Sequence, residues 1–402
     1  MRLLTLSEAE LPVLRLKRGE DRRLRTGHPW VFSNEIDTAA TPLSGAPAGG
    51  LVVVHDSRGQ RIGWGYANPH ALICVRLLGR GGAPEDIAAL IRERLRDALA
   101  LRRRFGDARY ARLVFGESDG LPGLVLDRFG VVVVGQIATL GMEILRETVE
   151  AAVQAELAPR TLLWKNDSSA RDLEGLTRGQ HCIGEPVDHL TVVEGDLTYT
   201  VTLGGAQKTG WFYDQTDNRA AVARYVPKGA RVLDVCSYAG GWALSLLRAG
   251  AGEATCLDAS QAALDAASAN AAANGLSVRP LRGDAFEALA ELNAAGERFD
   301  VVVVDPPAFV KRKKDLPQAE AAYRKLNQLA LRVMGDDALL VSCSCSYHLP
   351  AASLTELLQA GARHESRVLQ VLEFRGQSAD HPVHPAVPES RYLKAVFARV
   401  TR

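Results

Sequence analysis

The sequence lacks the features that would assign it to a membrane, secreted or metal-binding class. No uninterrupted apolar stretch in its 402 residues reaches the ~18–20 residues needed to span a bilayer. The N-terminal residues Met1 to Thr5 have neither the apolar core nor the cleavage site of a signal peptide. The six cysteines form no CxxC pair and have no metal-ligand spacing to the histidines. We therefore expect reduced thiols, a cytoplasmic location, no membrane partner and no metal.

The chain also has almost no net charge, +1 in total, so it is not a generally basic nucleic-acid coat. It contains no internal repeat and no low-complexity tract. The segment 15–25 departs from this balance, because it contains six basic residues and only two acidic ones. The basic residues are Arg15, Lys17, Arg18, Arg22, Arg23 and Arg25. Such a run is usually a solvated face, and by itself it indicates phosphate binding only weakly.

The pattern of apolar residues divides the chain into three regions. Residues 1–77 contain short strand-like runs separated by Gly, Pro and Asn, which is typical of an all-β module. Residues 78–185 begin with an amphipathic helix predicted over 84–105 and continue as a small α+β module. In residues 186–402 a hairpin is followed by strands that alternate with helices. That alternation predicts a mostly parallel sheet in an α/β domain.

Acidic residues occur at or near the ends of three successive strands of the third region. Asp234 lies in a strand that leads to the glycines at 240 and 241, and Asp258 and Asp284 follow at the next two strand ends. An acid about 20 residues after a glycine turn commonly binds ribose hydroxyls, although each carboxylate could instead cap a helix. The pyrophosphate fingerprint GxGxxG is missing. The pattern therefore favours a nucleoside ligand without phosphates, and S-adenosylmethionine is the candidate.

Two further strand ends carry unusual polar residues. The apolar run 299–304 leads to DPPAF at 305–309, and the apolar run 338–341 leads to SCSCS at 342–346. Ligands of open α/β sheets bind at the carboxyl ends of the strands. Side chains alternate along a strand, so Cys343 and Cys345 should face the same side, with Cys345 nearer the carboxyl edge.

With these segments, the sequence resembles the RlmI-like ribosomal RNA large-subunit cytosine-C5 methyltransferases, a family of class I methyltransferases. The resemblance covers nearly the whole chain, and it is carried by these segments: LKRGE at 16–20, GHPWVFS at 27–33, GESDGLPGL at 116–124, KTGWFYDQTDNR at 208–219, SYAGGW at 237–242, DPPAF at 305–309, SCSCS at 342–346 and HPVHPAVPESRYLK at 381–394.

The resemblance implies a β-rich PUA domain that binds RNA, a small α+β middle domain and a Rossmann-like methyltransferase domain. It implies S-adenosylmethionine as cofactor, S-adenosylhomocysteine as product and large-subunit ribosomal RNA as partner, and it leaves a homodimer open. Cys345 and Asp305 become the expected catalytic residues, and phosphate contact by the basic run becomes better supported. The expected cofactor-binding residues are Asp214, Arg219, Asp234, Ser237, Tyr238, Gly240, Asp258, Asp284 and Asp305.

The chemistry of cytosine explains why such an enzyme needs a thiol. Carbon 5 is a poor nucleophile, but addition of a thiolate to carbon 6 turns the ring into an enamine-like nucleophile. Asp305 would accept hydrogen bonds from the base, and the prolines beside it stiffen its loop. Phe309 could stack on a flipped base or pack in the core. For Cys74, Cys182, Cys236 and Cys256 we expect small buried side chains.

Three alternatives remain open at this point. A uracil-C5 methyltransferase would also combine the 305–307 motif with a thiol, although the cysteine of that family is typically followed by Asn-Pro rather than by Ser346 and Tyr347. A base amino-group methyltransferase could use Asp305 without the thiol. An RNA-binding factor with an inactive methyltransferase domain is a third alternative, although the acids at every strand end argue against it.

Overall fold

The structure is a computed structural model that describes residues 11–203, 209–310 and 312–402. Residues 1–5 and Lys208, which entered the sequence analysis, lie outside the described residues. The chain forms two compact units. The first unit comprises the described residues up to Leu190 with 209–211 and Ala379–Ser390, and the second comprises Thr191 to 203, Phe212–Ser378 and Arg391–Arg402. The three-domain division drawn from the sequence remains a prediction.

The first unit begins with a five-stranded sheet and one short helix, α1 (Arg22–Arg25). The spatial order is β1-β3-β4-β5-β2, and β1 and β3 are parallel while the other pairs are antiparallel. The strands are β1 (Val13–Arg15), β2 (Trp30–Phe32), β3 (Leu51–His55), β4 (Arg61–Ala67) and β5 (Ile73–Gly79). The short strands predicted for this part of the chain are therefore present.

A second five-stranded sheet in the same unit has the order β10-β9-β8-β7-β6. Its helices are α2 (Ile87–Arg102), α3 (Leu140–Ile144) and α4 (Arg146–Leu157), and its strands are β6 (Tyr110–Phe115), β7 (Leu124–Phe129), β8 (Val132–Ile137), β9 (Thr161–Asn166) and β10 (Gly179–Gly184). Helix α2 begins at Asp86, whose carboxylate accepts a hydrogen bond from the Ala89 amide at 3.0 Å. Helices α3 and α4 meet at Leu145, which lies between them.

One hydrophobic core joins the two sheets of the first unit. Trp64 and Tyr66 of β4 belong to the same buried cluster as Leu95 of α2 and Trp164 of β9. The Tyr66 hydroxyl donates a hydrogen bond to the Pro122 carbonyl at 2.7 Å, because a buried phenol needs a polar partner. Residues 11–77 and 78–185 therefore contribute to one shared hydrophobic cluster.

The second unit is built on a seven-stranded sheet with the order β15-β14-β13-β16-β17-β19-β18. Its first five strands are parallel, and β19 is antiparallel to both β17 and β18. The strands are β13 (Arg231–Val235), β14 (Glu253–Asp258), β15 (Arg279–Arg282), β16 (Phe299–Val304), β17 (Met334–Ser344), β18 (Val368–Arg375) and β19 (Lys394–Thr401). Because β13 pairs with β14 on one side and β16 on the other, the strand order reverses there, which is where open sheets bind ligands.

A hairpin and six helices complete the second unit over its described residues. The hairpin consists of β11 (His189–Glu194) and β12 (Leu197–Thr202). The helices are α5 (Thr216–Val222), α6 (Gly241–Arg248), α7 (Gln261–Ala273), α8 (Ala285–Ala294), α9 (Leu316–Arg332) and α10 (Ala351–His364). The strands and helices predicted from 231 onward are all present, so the predicted α/β alternation is confirmed. Across the described ranges, no helix is long and apolar enough to cross a membrane.

The central strands of this sheet should carry much of the stability of the second unit. Leu340 of β17 is fully buried, whereas Leu372 of β18 is 41% exposed. We expect Leu340→Ala to lower the free energy of unfolding by about 2–5 kcal/mol, because it removes buried methyl groups and leaves a cavity. Leu372→Ala is the matched control and should change it by less than about 0.5 kcal/mol. Urea titration of the three proteins measures both values, and equal losses would contradict the placement of β17 in the core.

Candidate active site

The carboxyl ends of three neighbouring parallel strands bring the expected catalytic residues to one edge of the sheet. Val304, the last residue of β16, pairs with Val235 of β13 and with Ser342 of β17. Asp305 follows Val304 and is therefore level with Cys343. Cys345 lies two residues further out, which corresponds to about 6.6 Å along a strand.

The turn between β13 and α6 has an unusual backbone. Cys236 and Tyr238 adopt positive φ values of 66° and 48°, and Gly240 follows with φ 85°. Non-glycine residues rarely adopt this conformation, and such strain is concentrated at ligand sites. The turn is held in place because the Tyr238 amide donates to the Asp258 carboxylate at 3.0 Å. Ser237 lies within this turn and is buried.

Asp234 is completely buried under this turn. Its Oδ2 atom accepts a hydrogen bond from the Ala243 amide at 3.1 Å, whereas Oδ1 has no hydrogen-bond partner among the described residues. Burial, together with repulsion from Asp305 and Asp258, raises the pKa of Asp234 to about 8. An unsatisfied buried carboxylate oxygen beside a strained turn indicates a place where a polar or cationic ligand group would be stabilised.

Asp258 and Asp284 both accept hydrogen bonds from backbone amides. Asp258 accepts them from Tyr238 and, at 2.9 Å, from Ser260, which itself caps α7. Asp284 is exposed and caps α8, since its Oδ1 atom accepts hydrogen bonds from the first amides of the helix. A carboxylate offers about four acceptor sites, so these bonds do not prevent either residue from also binding a ligand.

The Asp305 carboxylate is held by two side chains that the sequence analysis did not assign. Its Oδ2 atom accepts hydrogen bonds from Gln215 Nε2 and Trp242 Nε1, both at 3.0 Å. Gln215 is oriented in turn by Asn218, whose amide group donates to Gln215 Oε1 at 2.7 Å. Gln215 and Trp242 both belong to segments that carry the family resemblance, but the sequence alone does not show what these two side chains contact.

Asp214 and Arg219 are buried and have partners within the protein. The Tyr392 hydroxyl donates to Asp214 Oδ2 at 2.6 Å. Arg219 forms a bidentate ion pair with Glu194 of the hairpin, with a distance of 2.8 Å from Nε to Oε2. The contacts of Arg219 fasten α5 to the hairpin, and its role in cofactor binding stays a prediction.

The two thiols of the 342–346 segment differ in their surroundings. Cys343 is fully buried, and burial together with the negative charge of Asp305 raises its pKa well above the ordinary value. Cys345 is half-buried and follows the last residue of β17. The thiol nearer the edge is therefore the accessible one, and the deeper one is held protonated.

The serines that alternate with these cysteines bind helix α9 through a ladder of buried hydrogen bonds, which we call the serine ladder. Ser342 donates to Asn327 Oδ1 at 2.8 Å, and Ser344 donates to the Tyr323 hydroxyl at 2.9 Å. Tyr323 also lies 3.0 Å from the Ser346 hydroxyl, which accepts a hydrogen bond from the Val310 amide at 3.2 Å. The serine ladder therefore connects the thiol strand to the loop that carries Asp305.

Phe309 packs against the hydrophobic core. Its ring centroid lies 4.7 Å from that of Tyr323 and 6.5 Å from that of Phe286. These contacts support the core-packing alternative, and a role in stacking on a base remains a prediction.

The basic run of the first unit contains side chains that form ion pairs with carboxylates and side chains that do not. Arg23 pairs with Glu35 at 2.8 Å, and Arg25 pairs with Asp56 at 2.8 Å. Lys17 is exposed, and its ammonium donates to the Asn34 carbonyl. The remaining members are exposed and form no ion pair within the described residues: Arg15, Arg18 and Arg22.

One sequence-based expectation about the cysteines is wrong. Cys74 and Cys256 are buried as expected, but Cys182 is exposed because β10 is the edge strand of its sheet and is exposed along its whole length. Cys236 is half-buried, and burial together with the charges of Asp258 and Asp305 raises its pKa to about 12. Neither residue changes the choice of Cys345 as the candidate nucleophile.

Comparison with protein families agrees with both parts of this architecture. Residues 14–80 match a PUA-like domain. Residues 171–399 match the S-adenosylmethionine-dependent methyltransferase family, which is more than half of the chain. The fold and this match define the class of the protein as an S-adenosylmethionine-dependent methyltransferase with a PUA-like domain, and they confirm the cofactor predicted from the sequence.

The similarity to proteins of a named family covers nearly the entire chain. Ribosomal RNA large subunit methyltransferase I of Klebsiella pneumoniae is 34% identical over 98% of this chain and 100% of its own length. The protein of the same name from Erwinia tasmaniensis is 36% identical over 96% of this chain and 98% of its own length. The chain belongs to the ribosomal RNA large subunit methyltransferase I family.

Solved structures confirm the fold. A proposed S-adenosylmethionine-dependent methyltransferase from Streptococcus mutans superposes with a TM-score of 0.80 at 17% identity, covering 97% of this chain and 100% of its own. A proposed methyltransferase in complex with S-adenosylhomocysteine superposes with a TM-score of 0.81 over the same shares of the two chains, also at 17% identity. The predicted fold class, a Rossmann-like methyltransferase domain preceded by a PUA-like β domain, is thereby confirmed.

The buried carboxyl of Asp234 predicts a pH-dependent stability. Its pKa is about 8 in the folded protein and 3.8 in an unfolded reference, so between these values the folded state binds the additional proton and stability falls as pH rises. We expect the free energy of unfolding of the natural protein to fall between pH 5 and pH 8 relative to that of Asp234→Asn, so that the difference shifts in favour of the variant by at least about 1 kcal/mol. Asp284→Asn, at an exposed cap, is the control and should follow the natural protein. Parallel stability curves for all three proteins, measured by urea titration, would contradict the burial of an ionisable Asp234.

Proposed function

We propose that this protein methylates carbon 5 of a cytosine in large-subunit ribosomal RNA through a covalent bond between Cys345 and carbon 6. The observation that carries the proposal is the accessible Cys345 thiol at the sheet edge, two residues beyond the level of Asp305. The names of the relatives support ribosomal RNA as the substrate. The proposal includes a cytoplasmic location, and a homodimer remains a prediction.

In the proposed reaction the Cys345 thiolate adds to carbon 6 of the base. The electron pair of the carbon 5–carbon 6 double bond is thereby delocalised into the ring, and carbon 5 becomes nucleophilic. S-adenosylmethionine supplies the methyl group that carbon 5 takes up. Loss of the proton from carbon 5 then restores the double bond and expels Cys345 as a thiolate.

Asp305 has the geometry of a residue that orients the base. Trp242 and Gln215 fix its Oδ2 atom, so the carboxylate cannot rotate freely when a base enters. From this position it would accept hydrogen bonds from the amino group or a protonated ring nitrogen of cytosine. A proton held between Asp305 and the ring nitrogen would offset the negative charge that thiolate addition places on the ring, so this contact favours the covalent adduct over the free base.

The cofactor would lie along the ends of β13, β14 and β15. We assign Asp258 to the ribose hydroxyls and Asp284 to the adenine amino group, with Gly240, Ser237 and Tyr238 forming the turn against which the nucleoside rests. Asp234 lies beneath this turn, and its Oδ1 atom has no hydrogen-bond partner within the part of the chain that the structure describes. A cationic ligand near Asp234 would lower its pKa from about 8 and favour its charged form.

The exposed cations of the PUA-like domain are the proposed RNA contacts. Arg15, Arg18 and Arg22 are free to bind phosphate groups, whereas Arg23 and Arg25 are committed to carboxylates. Phosphate contacts of this kind position an RNA without reading its sequence. Selection of one nucleotide would therefore depend on the methyltransferase domain.

An adduct-trapping experiment tests the proposed function. A fluorine atom at carbon 5 cannot leave as a cation, so the enzyme should remain bound to 5-fluorocytidine in ribosomal RNA after methyl transfer. We expect a covalent adduct, detected by denaturing electrophoresis, for the natural protein and for Cys343→Ala, and none for Cys345→Ala. Methylation of cytosine by Cys345→Ala would overturn the proposal. An adduct with 5-fluorouridine RNA alone would identify uracil as the base.

The indole that holds Asp305 provides a second test. Trp242→Phe removes one of the two hydrogen bonds to the Asp305 carboxylate, and a bond to a charged group contributes about 1.5–3 kcal/mol. We expect kcat for RNA methylation to fall about 10- to 100-fold, with a smaller change in KM. Trp164→Phe is the matched control, because Trp164 is also buried and donates to a carboxylate, that of Glu150, at 2.8 Å. Equal effects of the two substitutions on kcat would contradict a role for Trp242 in orienting Asp305.

A further inference from the structure

Lys394 is a buried lysine directly beside the thiol strand. It is the first residue of β19 and pairs with Ser344, the residue before Cys345, in the antiparallel ladder. Only 8% of its surface is exposed. Lysine is almost never buried unless its charge has a partner, yet no carboxylate of the described residues lies within ion-pair distance of its ammonium group.

The hydrogen bonds of Lys394 place its ammonium group at the backbone carbonyl that follows Cys345. Nζ donates to the carbonyl of Ser346, the residue after Cys345, and to the carbonyl of Tyr392 at 2.8 Å. An ammonium group has three N–H donors, so one remains beyond these two carbonyls. Burial lowers the pKa of Lys394 to about 8, and the charge of Cys345 acts in the opposite direction. The two groups therefore interact electrostatically.

Two carboxylates among the described residues carry negative charge next to the thiol strand. Burial, and beside it the charges of Asp305 and Asp214, raise the pKa of the neighbouring Cys343. The pKa of Tyr323 on α9 is also raised, chiefly by burial and further by the charge of Cys345. Tyr347, His348 and Tyr392 are further titratable neighbours within the described ranges. A nearby cation favours the ionisation of a thiol at neutral pH.

We propose that Lys394 is a positioning residue that holds Cys345 as a thiolate through the positive charge of its ammonium group. The thiol proton is released to solvent, the ammonium charge balances that of the thiolate, and the sulfur keeps the electron pair that attacks carbon 6. When the sulfur is expelled at the end of the reaction, the same ammonium group receives it. This inference rests on the proposed function for its meaning in catalysis, but the ion pair itself is a property of the protein without RNA.

The inference is tested by measuring the ionisation of Cys345 in the full-length protein without RNA or cofactor. The rate of alkylation by iodoacetamide is followed at each cysteine by peptide mass spectrometry between pH 5.5 and 10. We expect the Cys345 midpoint to lie below the ordinary thiol value of about 8.5 in the natural protein. Lys394→Met should raise it by at least about one pH unit, which makes alkylation about tenfold slower near neutral pH. Lys394→Arg should restore most of the rate, because it keeps the charge.

The exposed Cys182 serves as an internal control in every sample, since its titration should not change. An unchanged Cys345 midpoint in Lys394→Met would overturn the inference. If Lys394→Met does not fold, the reciprocal measurement in Cys345→Ser replaces it. NMR of lysine labelled at Cε should show that the pKa of Lys394 falls when the thiol is removed, and an unchanged value would also overturn the inference. Neither readout depends on methylation, so a failed adduct experiment would refute the proposed function separately.

Discussion

The parallel pairing of β13, β16 and β17 is the constraint on which the site depends. Parallel strands align their carboxyl ends, so three short polar segments that are far apart in the sequence reach one edge together. The pairing of Val304 with Ser342 sets the level of Asp305 against the thiol strand. A change in that register would move the carboxylate relative to Cys345 without altering either residue.

This alignment also concentrates negative charge. Asp234, Asp258 and Asp305 lie close enough for repulsion to contribute to the raised pKa of Asp234, and the same carboxylates raise the pKa of Cys236. Such a cluster suits a cofactor that carries a sulfonium and an ammonium group. It opposes the ionisation of a nearby thiol, and a cation such as the proposed ammonium group of Lys394 would act in the opposite direction.

Much of the fold and part of the site could be predicted from the sequence. Apolar runs and their spacing located the strands of the second unit, and the polar residues at their ends located Asp305 and Cys345, because strand ends are local features. The contacts of Lys394, Gln215 and Trp242 could not be predicted in this way. The antiparallel pairing of β17 with β19 places Lys394 opposite Ser344, and no local pattern reports that pairing. Likewise, the carboxylates that bind Arg23 and Arg25 come from other strands and loops.

The serine ladder resolves an ambiguity that the SCSCS segment would otherwise create. The segment repeats every two residues. A shift of β17 by two residues would therefore move Cys343 into the place of Cys345 and keep a sulfur atom on the same face of the sheet. The partners on α9 are not interchangeable, because Ser342 meets the amide of Asn327 whereas Ser344 meets the phenol of Tyr323. A slipped strand would leave buried hydroxyl and amide groups mismatched, at about 1–3 kcal/mol for each unsatisfied group. The hydrogen bonds of the serines thus fix the register of β17, and this register determines which of the two cysteines lies at the edge of the sheet.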